Sequence, residues 1–172
     1  MVQMNYNKII QELKRNKNIF KGLLENIPPE EHLWKPKPGK WCLLEIICHL
    51  LDEEVEDFRT RVTYVLETPE LALPPIDPGM WVKERNYIEQ NFNKTLITFL
   101  KERERSVSWL LALTNPKWDN FYKHPKLGPM SAKLFLSNWL AHDYLHIRQI
   151  VSLKFEYLKY LSNEGLNYAG EW

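Results

Sequence analysis

Two histidines spaced four residues apart form the part of this sequence best suited to chemistry. His142 and His146 lie in a segment that reads as helix, and their spacing places both imidazoles on one face, one turn apart. A third histidine, His49, lies in another predicted helix far upstream. Two histidines from one helix and one from a second can form a three-nitrogen metal site with open coordination positions. Such a site supports catalysis, whereas a closed four-ligand site mainly holds structure.

The position of the pair within its helix favours the metal interpretation. His142 and His146 share an apolar stripe with Phe135, Trp139 and Ile150, and we expect this stripe to face the core. Burying an imidazole there without a partner would cost about 1–3 kcal/mol, and a metal ion would supply the partner. The alternative is that the histidines bind no metal and are ordinary core or surface residues of an interaction module.

Two carboxylates, Asp52 and Glu53, follow His49 by three and four residues and so share its face of the helix. We predict a catalytic role for one of them, either as a general base or through a hydrogen bond to a ligand histidine. The alternative interpretation is a solvated acidic strip. Its further members would be Glu54, Glu56 and Asp57.

Three other residues near these motifs are predicted to lie outside the site. Asp143 follows His142 but points about 100° away from it, so we expect a surface ion pair or a contact between subunits. His32 and His124 fall in Pro-rich, polar breaks and are expected to be ordinary loop residues. Of these two, His124 is the better placed to reach a site that opens toward a loop.

Composition limits the class of protein. The 172 residues fit one domain over residues 1–172, and a net charge of +1 gives no electrostatic case for nucleic acid or an acidic membrane. No run approaches the roughly 18 apolar residues of a membrane span. The polar segment 1–8 predicts no signal peptide. Cys42 and Cys48 would lie about 9 Å apart along one helix, too far for an easy disulfide. We therefore expect a cytoplasmic protein.

Four long amphipathic patterns predict an all-α protein. They cover about residues 6–26, 43–66, 82–113 and a last helix that begins after Ser131 as N-cap and ends before the loop tail 163–172. Residues 67–79 contain four prolines and a glycine, so we predict an irregular crossover or lid between the second and third helices. Four helices of this length form a four-helix bundle, in which metal sites are built from inward side chains.

Two stretches of the chain resemble the DinB-like superfamily. Residues 34–50 contain Pro38-Gly39-Lys40-Trp41 before the helix that carries His49, and residues 142–150 are similar to the motif of the family's last helix. One histidine on the second helix and two on the fourth also match the family order. Cys42 stands where the family often has Ser, which affects helix capping and leaves the ligands unchanged.

The resemblance implies a particular architecture and ligand set. The fold would be an up-down-down-up four-helix bundle with a long crossover between helices two and three. His49, His142 and His146 would hold a divalent ion, with zinc or nickel expected first and iron or manganese also accepted. Many family members are homodimers, which we expect here too.

The resemblance also implies a class of reaction. Characterised relatives include S-transferases that use bacillithiol, mycothiol or glutathione, and a mycothiol-dependent maleylpyruvate isomerase. We therefore expect a metal-dependent enzyme that acts on a small molecule, such as a transferase for a low-molecular-weight thiol. The alternatives are a metal-dependent hydrolase and a non-enzymatic metal-binding bundle.

Overall fold

Four long helices form the body of the protein. The computed structural model describes residues 5–170; residues 1–4, part of the segment that predicts no signal peptide, and residues 171–172, the end of the predicted loop tail, lie outside the described residues. The bundle helices are Tyr6–Leu24, Leu43–Asp52 with its continuation to residue 67, Phe92–Ala112 and Ala132–Ser162. No helix in the described part of the chain is long and apolar enough to cross a membrane.

Side-chain contacts define the directions of the helices. The contacts are Lys17 with Glu104, Phe20 with Phe99, Glu54 with Arg103, Arg59 with Ser106, Glu54 with Trp139, and His49 with His142. The first helix is thus antiparallel to the third, the second is parallel to the third, and the second is antiparallel to the fourth. The predicted up-down-down-up four-helix bundle is confirmed.

The second bundle helix changes its winding in the middle. It is α-helical over Leu43–Asp52, π-helical over Glu53–Arg59 and α-helical again over Thr60–Glu67. At its start, the backbone N–H of Cys42 donates to the Glu45 carboxylate (2.8 Å). A π segment within an α-helix often marks a functional site, and this one begins four residues after His49.

The predicted third helix over residues 82–113 is wrong at its N-terminal end. The structure contains a short helix Pro78–Glu84 and a 3-10 turn Tyr87–Glu89 before the long helix Phe92–Ala112. Asn86 between the first two adopts a left-handed backbone (φ 46°) that stops the helix. Asn91 then caps the long helix, because its side chain accepts from the backbone N–H of Lys94 (2.9 Å).

The crossover 67–79 is also more regular at its end than predicted. Asp77 accepts a hydrogen bond from the backbone N–H of Met80 (3.2 Å), and Pro78 occupies the first helical position, where its missing N–H costs nothing. Proline therefore starts a helix here, although the four prolines of the segment predicted an irregular crossover.

A β-hairpin connects the third and fourth bundle helices. Phe121–His124 pairs antiparallel with Gly128–Ser131. Ser131 caps the fourth helix as predicted, since its hydroxyl accepts from the backbone N–H of Leu134 (3.2 Å). The hairpin places His124 beside the bundle.

Not every apolar residue of the helical patterns is buried. Ile88, Leu111 and Leu134 are 43%, 47% and 40% exposed. His32, which was predicted to be a loop residue, lies in a short helix, Pro29–His32, and stacks on Phe92 with ring centroids 4.4 Å apart.

Candidate metal centre

Three imidazoles meet between the second and fourth bundle helices. The Nε2 atom of His142 lies 3.2 Å from Nε2 of His49 and 3.1 Å from Nε2 of His146. His49 and His146 are buried, and His142 is half-buried. The two helices are adjacent and antiparallel. His49 of the second helix therefore meets His142 and His146, which lie one turn apart on the fourth. The structure thus brings together all three histidines that the sequence singled out.

The spacing of the three nitrogens fits a metal ion better than it fits mutual hydrogen bonding. Nitrogen ligands of zinc lie about 2.0–2.1 Å from the ion, so two of them in a tetrahedral arrangement are about 3.3 Å apart. A neutral imidazole carries a single N–H, so Nε2 of His142 cannot donate to both neighbours at once. Three imidazole nitrogens within 4.8 Å of one another form a donor set that zinc and nickel accept.

Burial keeps the three imidazoles in the form that binds metal. Burial, followed by the charge of His146, lowers the pKa of His49 to about 3. Burial, followed by the other two histidines and Arg103, lowers the pKa of His142 to about 2, and burial also lowers the pKa of His146. All three are therefore neutral at pH 7, which is the protonation state that metal binding requires.

These lowered pKa values predict how the stability of the metal-free protein depends on pH. The unfolded chain binds protons at histidine below about pH 6.5, whereas the folded chain does not. Stability from this source is therefore complete above that pH and is lost as the pH falls toward 3. We expect the free energy of unfolding in urea, measured with a chelator present, to fall from pH 7.5 to pH 5. The fall should be smaller for His142→Leu, and an equal fall in both proteins would contradict the prediction.

Glu53 is the carboxylate that approaches the histidines. It is 5% exposed, and its Oε1 lies 3.9 Å from Nδ1 of His49. Burial, followed by hydrogen bonding to Asp57 and the charge of Asp57, raises the pKa of Glu53 to about 8. Among the described residues, the buried Nδ1 atoms of His49 and His146 have no hydrogen-bond partner. A short movement of Glu53 would supply one for His49.

Asp52, the other predicted catalytic carboxylate, is held by different residues. It accepts from the Tyr87 hydroxyl (2.6 Å) and pairs with Arg85 (2.9 Å), both of which follow the crossover. The Asp52 carboxylate therefore binds residues of the segment that precedes the third helix. The interpretation of this region as a solvated acidic strip is wrong for Glu53 and Glu54, which are only 5% and 1% exposed, whereas Glu56 is exposed.

The expectation that Asp143 lies at the surface is wrong. Asp143 is fully buried and receives both terminal nitrogens of Arg103 (2.6 and 2.7 Å) and the amide of Asn16 (3.0 Å). Arg103 also donates to Glu54 (3.0 Å), which accepts from the indole of Trp139 (2.9 Å). This network joins all four bundle helices, and its member Asp143 is the chain neighbour of His142.

Arg103 was not among the predicted functional residues. The sequence does contain a sign of its burial: Arg103 follows Phe99 by four residues and precedes Val107 by four, which places a charge on the apolar stripe of the third helix. A charge at such a position needs a buried partner of opposite sign.

Two surface grooves adjoin the three-histidine cluster; one is lined by His146, the other by His142, and Leu145 lines both. The Trp41 groove, about 800 Å³, ends at His146. Its other polar lining residues are Lys40, Arg148, Gln149, Ser152 and Glu156. The His124 groove, about 570 Å³, ends at His142 and is lined mainly by apolar side chains. These include Phe58, Ile76 from the crossover, Leu127, Met130 and Phe135.

The fold and the site define a class of protein: a four-helix bundle with a three-histidine centre between facing helices, open to two grooves. Within that class, residues 12–150 match the model of the DinB superfamily, and the chain belongs to this superfamily. The resemblance seen in the sequence motifs is confirmed.

One similar solved structure is YfiT from Bacillus subtilis, described as a probable metal-dependent hydrolase with an unusual four-helix bundle topology. It is 19% identical, the match covers 89% of this chain and 87% of YfiT, and the TM-score is 0.77. At this identity the likeness shows the shared fold. No curated protein matches the chain.

Proposed function

We propose that this protein is a divalent-metal-dependent enzyme in which His49, His142 and His146 hold the ion. The observation that carries the proposal is the convergence of three neutral Nε2 atoms, 3.1 and 3.2 Å apart, where two grooves meet. Zinc or nickel is the ion proposed first, as the family resemblance implies, with iron or manganese as alternatives; three imidazole nitrogens do not by themselves select one divalent ion. A bound divalent ion lowers the pKa of a thiol or water that it binds.

The reaction proposed is transfer of a low-molecular-weight thiol to an electrophile. A transfer between two molecules needs two binding places, and two grooves adjoin the cluster, one lined by His146 and the other by His142. The Trp41 groove offers the cationic side chains of Lys40 and Arg148 against the one carboxylate of Glu156. This balance suits a thiol that carries carboxylates. Trp41 also packs against His49, with ring centroids 5.0 Å apart, and so shields the site from water.

Glu53 is the residue proposed to move the proton. Its Oε1 lies 3.9 Å from Nδ1 of His49. After a short movement it can accept a hydrogen bond from Nδ1–H, which would orient the imidazole with its Nε2 lone pair toward the centre. A raised pKa near 8 also matches a group that takes and returns a proton near neutral pH. Asp52 is left in a positioning role, because Tyr87 and Arg85 hold its carboxylate.

Hydrolysis is the second candidate reaction. It is favoured by the similarity to YfiT, which is described as a probable metal-dependent hydrolase. A hydrolase would need only one of the two grooves for its substrate. A cytoplasmic location and a homodimer are further proposals, the first supported by the two buried free cysteines, Cys42 and Cys48, which suit a reducing compartment.

A paired assay separates the two reactions. Protein purified without an affinity tag would be stripped, reloaded with zinc or nickel, and mixed with 1-chloro-2,4-dinitrobenzene and bacillithiol, mycothiol or glutathione in turn. We expect conjugation that needs both metal and thiol and that is lost in His142→Ala. Failure with every thiol, together with metal-dependent cleavage of p-nitrophenyl acetate in the absence of thiol, would replace transfer by hydrolysis. Failure of both reactions would leave a non-enzymatic metal-binding bundle.

A further inference from the structure

His124 has one ring nitrogen that is committed to the hairpin. Its Nδ1 lies 3.1 Å from the backbone nitrogens of both Lys126 and Leu127. Both backbone groups are donors, so Nδ1 must be the acceptor and carries no proton. In a neutral imidazole the proton then resides on Nε2. The fold of the hairpin therefore sets the tautomer of this side chain.

The other ring nitrogen, Nε2, is not used by the hairpin. Among residues 5–170, the hydrogen bonds of the His124 ring involve Nδ1 alone. Asn, Asp or Ser ordinarily closes a turn of this kind, through a side-chain oxygen that accepts from the backbone two or three residues later. In His124 the ring nitrogen Nδ1 accepts these bonds, and the ring carries a second nitrogen, Nε2. Nε2 can therefore bind a ligand while Nδ1 holds the turn.

The side chain of His124 lines the groove that ends at His142. Most of the lining of this groove is apolar, with Phe58, Leu127 and Phe135 among the walls. Its two charged residues, Asp57 and Arg61, pair with each other, so the groove offers little net charge to a ligand. A groove of this composition favours an uncharged apolar molecule with few polar atoms.

We propose that the His124 groove binds the second substrate, an uncharged apolar compound that carries an oxygen acceptor. Nε2–H of His124 donates to that oxygen, and the compound extends along the groove toward His142. The assignment of this molecule as the electrophile rests on the proposed function. Its binding does not, because no residue of the interaction needs a metal ion.

Two small probes that differ by one carbonyl oxygen test the proposal. Acetophenone and ethylbenzene would be titrated separately into the full-length, metal-stripped, ¹⁵N-labelled protein, and amide shifts followed by NMR. We expect the amides of Leu127, Met130 and Asn138 to shift with both probes. The signal of the His124 Nε2–H should shift with acetophenone alone.

The variant His124→Asn isolates the donor. Its side-chain oxygen keeps an acceptor for the amides of Lys126 and Leu127, while the group that corresponds to Nε2–H is lost. One neutral hydrogen bond is worth about 1 kcal/mol, so acetophenone should bind about 5-fold more weakly to the variant. Ethylbenzene should bind both proteins alike. A matched control, His32→Asn, lies outside the groove and should change neither affinity.

Several outcomes would overturn the inference. They are absence of acetophenone binding, equal weakening of both probes in His124→Asn, and shifts that map outside the groove. A metal titration of the same protein is read separately. If that titration shows no metal binding, the proposed function fails while the groove assignment stands. If metal binds but the probes do not, the groove assignment fails and the proposed function stands.

Discussion

Replacing His142 with alanine should abolish tight binding of divalent metal. Nε2 of His142 is the central atom of the site, 3.2 Å from His49 and 3.1 Å from His146. Its loss leaves two ligands on different helices. Changes to residues that merely support a ligand cost about 10–100-fold in metal affinity, so loss of this ligand should cost more than about 100-fold. Calorimetric titration with zinc and with nickel would measure the loss.

A histidine outside the triad provides the control for this experiment. His124→Ala removes an imidazole from the groove that adjoins the site and should leave the affinity for metal within a few-fold of the wild type. Metal analysis of untagged wild-type protein should show about one ion per chain after loading. Wild-type protein that takes up neither zinc nor nickel, or equal affinities in wild type and His142→Ala, would refute the metal centre.

Replacing Arg103 with methionine should destabilise the fold by about 3–5 kcal/mol. Arg103 is 1% exposed and, among the described residues, is the single cation that pairs with Glu54 and Asp143 in the buried network. Methionine fills a similar volume but leaves two buried carboxylates without a cation. Removing one partner of a buried ion pair is costly because the remaining charge stays desolvated.

Urea unfolding monitored by circular dichroism would measure this change. For a chain of this size, the same loss lowers the melting temperature by roughly 6–20 °C. The matched control is Arg105→Met on the same helix, because the Arg105 side chain is 73% exposed and pairs with Glu102 at the surface. That variant should change the free energy of unfolding by less than about 0.5 kcal/mol. A loss below about 1 kcal/mol in Arg103→Met would show that the network contributes little to stability.

Much of the fold was predictable because helix formation and helix ends depend on nearby residues. The apolar periodicity predicted the four bundle helices, and Ser131 was correctly predicted to cap the last one. The third helix was extended too far because an apolar pattern continues through residues 82–91, whereas Asn86 adopts a left-handed backbone that the pattern does not show. The prolines of the crossover predict irregular structure because proline interrupts helices, but Pro78 is the first residue of one.

The carboxylates of the site were less predictable than its histidines. Asp52 and Glu53 are equivalent by spacing from His49, yet Tyr87 and Arg85 hold the first and the second lies beside His49. Asp143 was expected at the surface because the sequence does not show that Arg103 of another helix faces it. In each case the partner belongs to an element that is distant along the chain.

The sequence by itself determined the helices, the inward face of the fourth helix and the three histidines that could act together. Local spacing is enough for this, because residues three and four apart on a helix share one face. Only the tertiary structure decided that His49 meets His142 across 93 residues of chain, that Glu53 is the near carboxylate, and that the hairpin places His124 in the lining of a groove. These features depend on how separate elements pack, and packing is a property of the whole core.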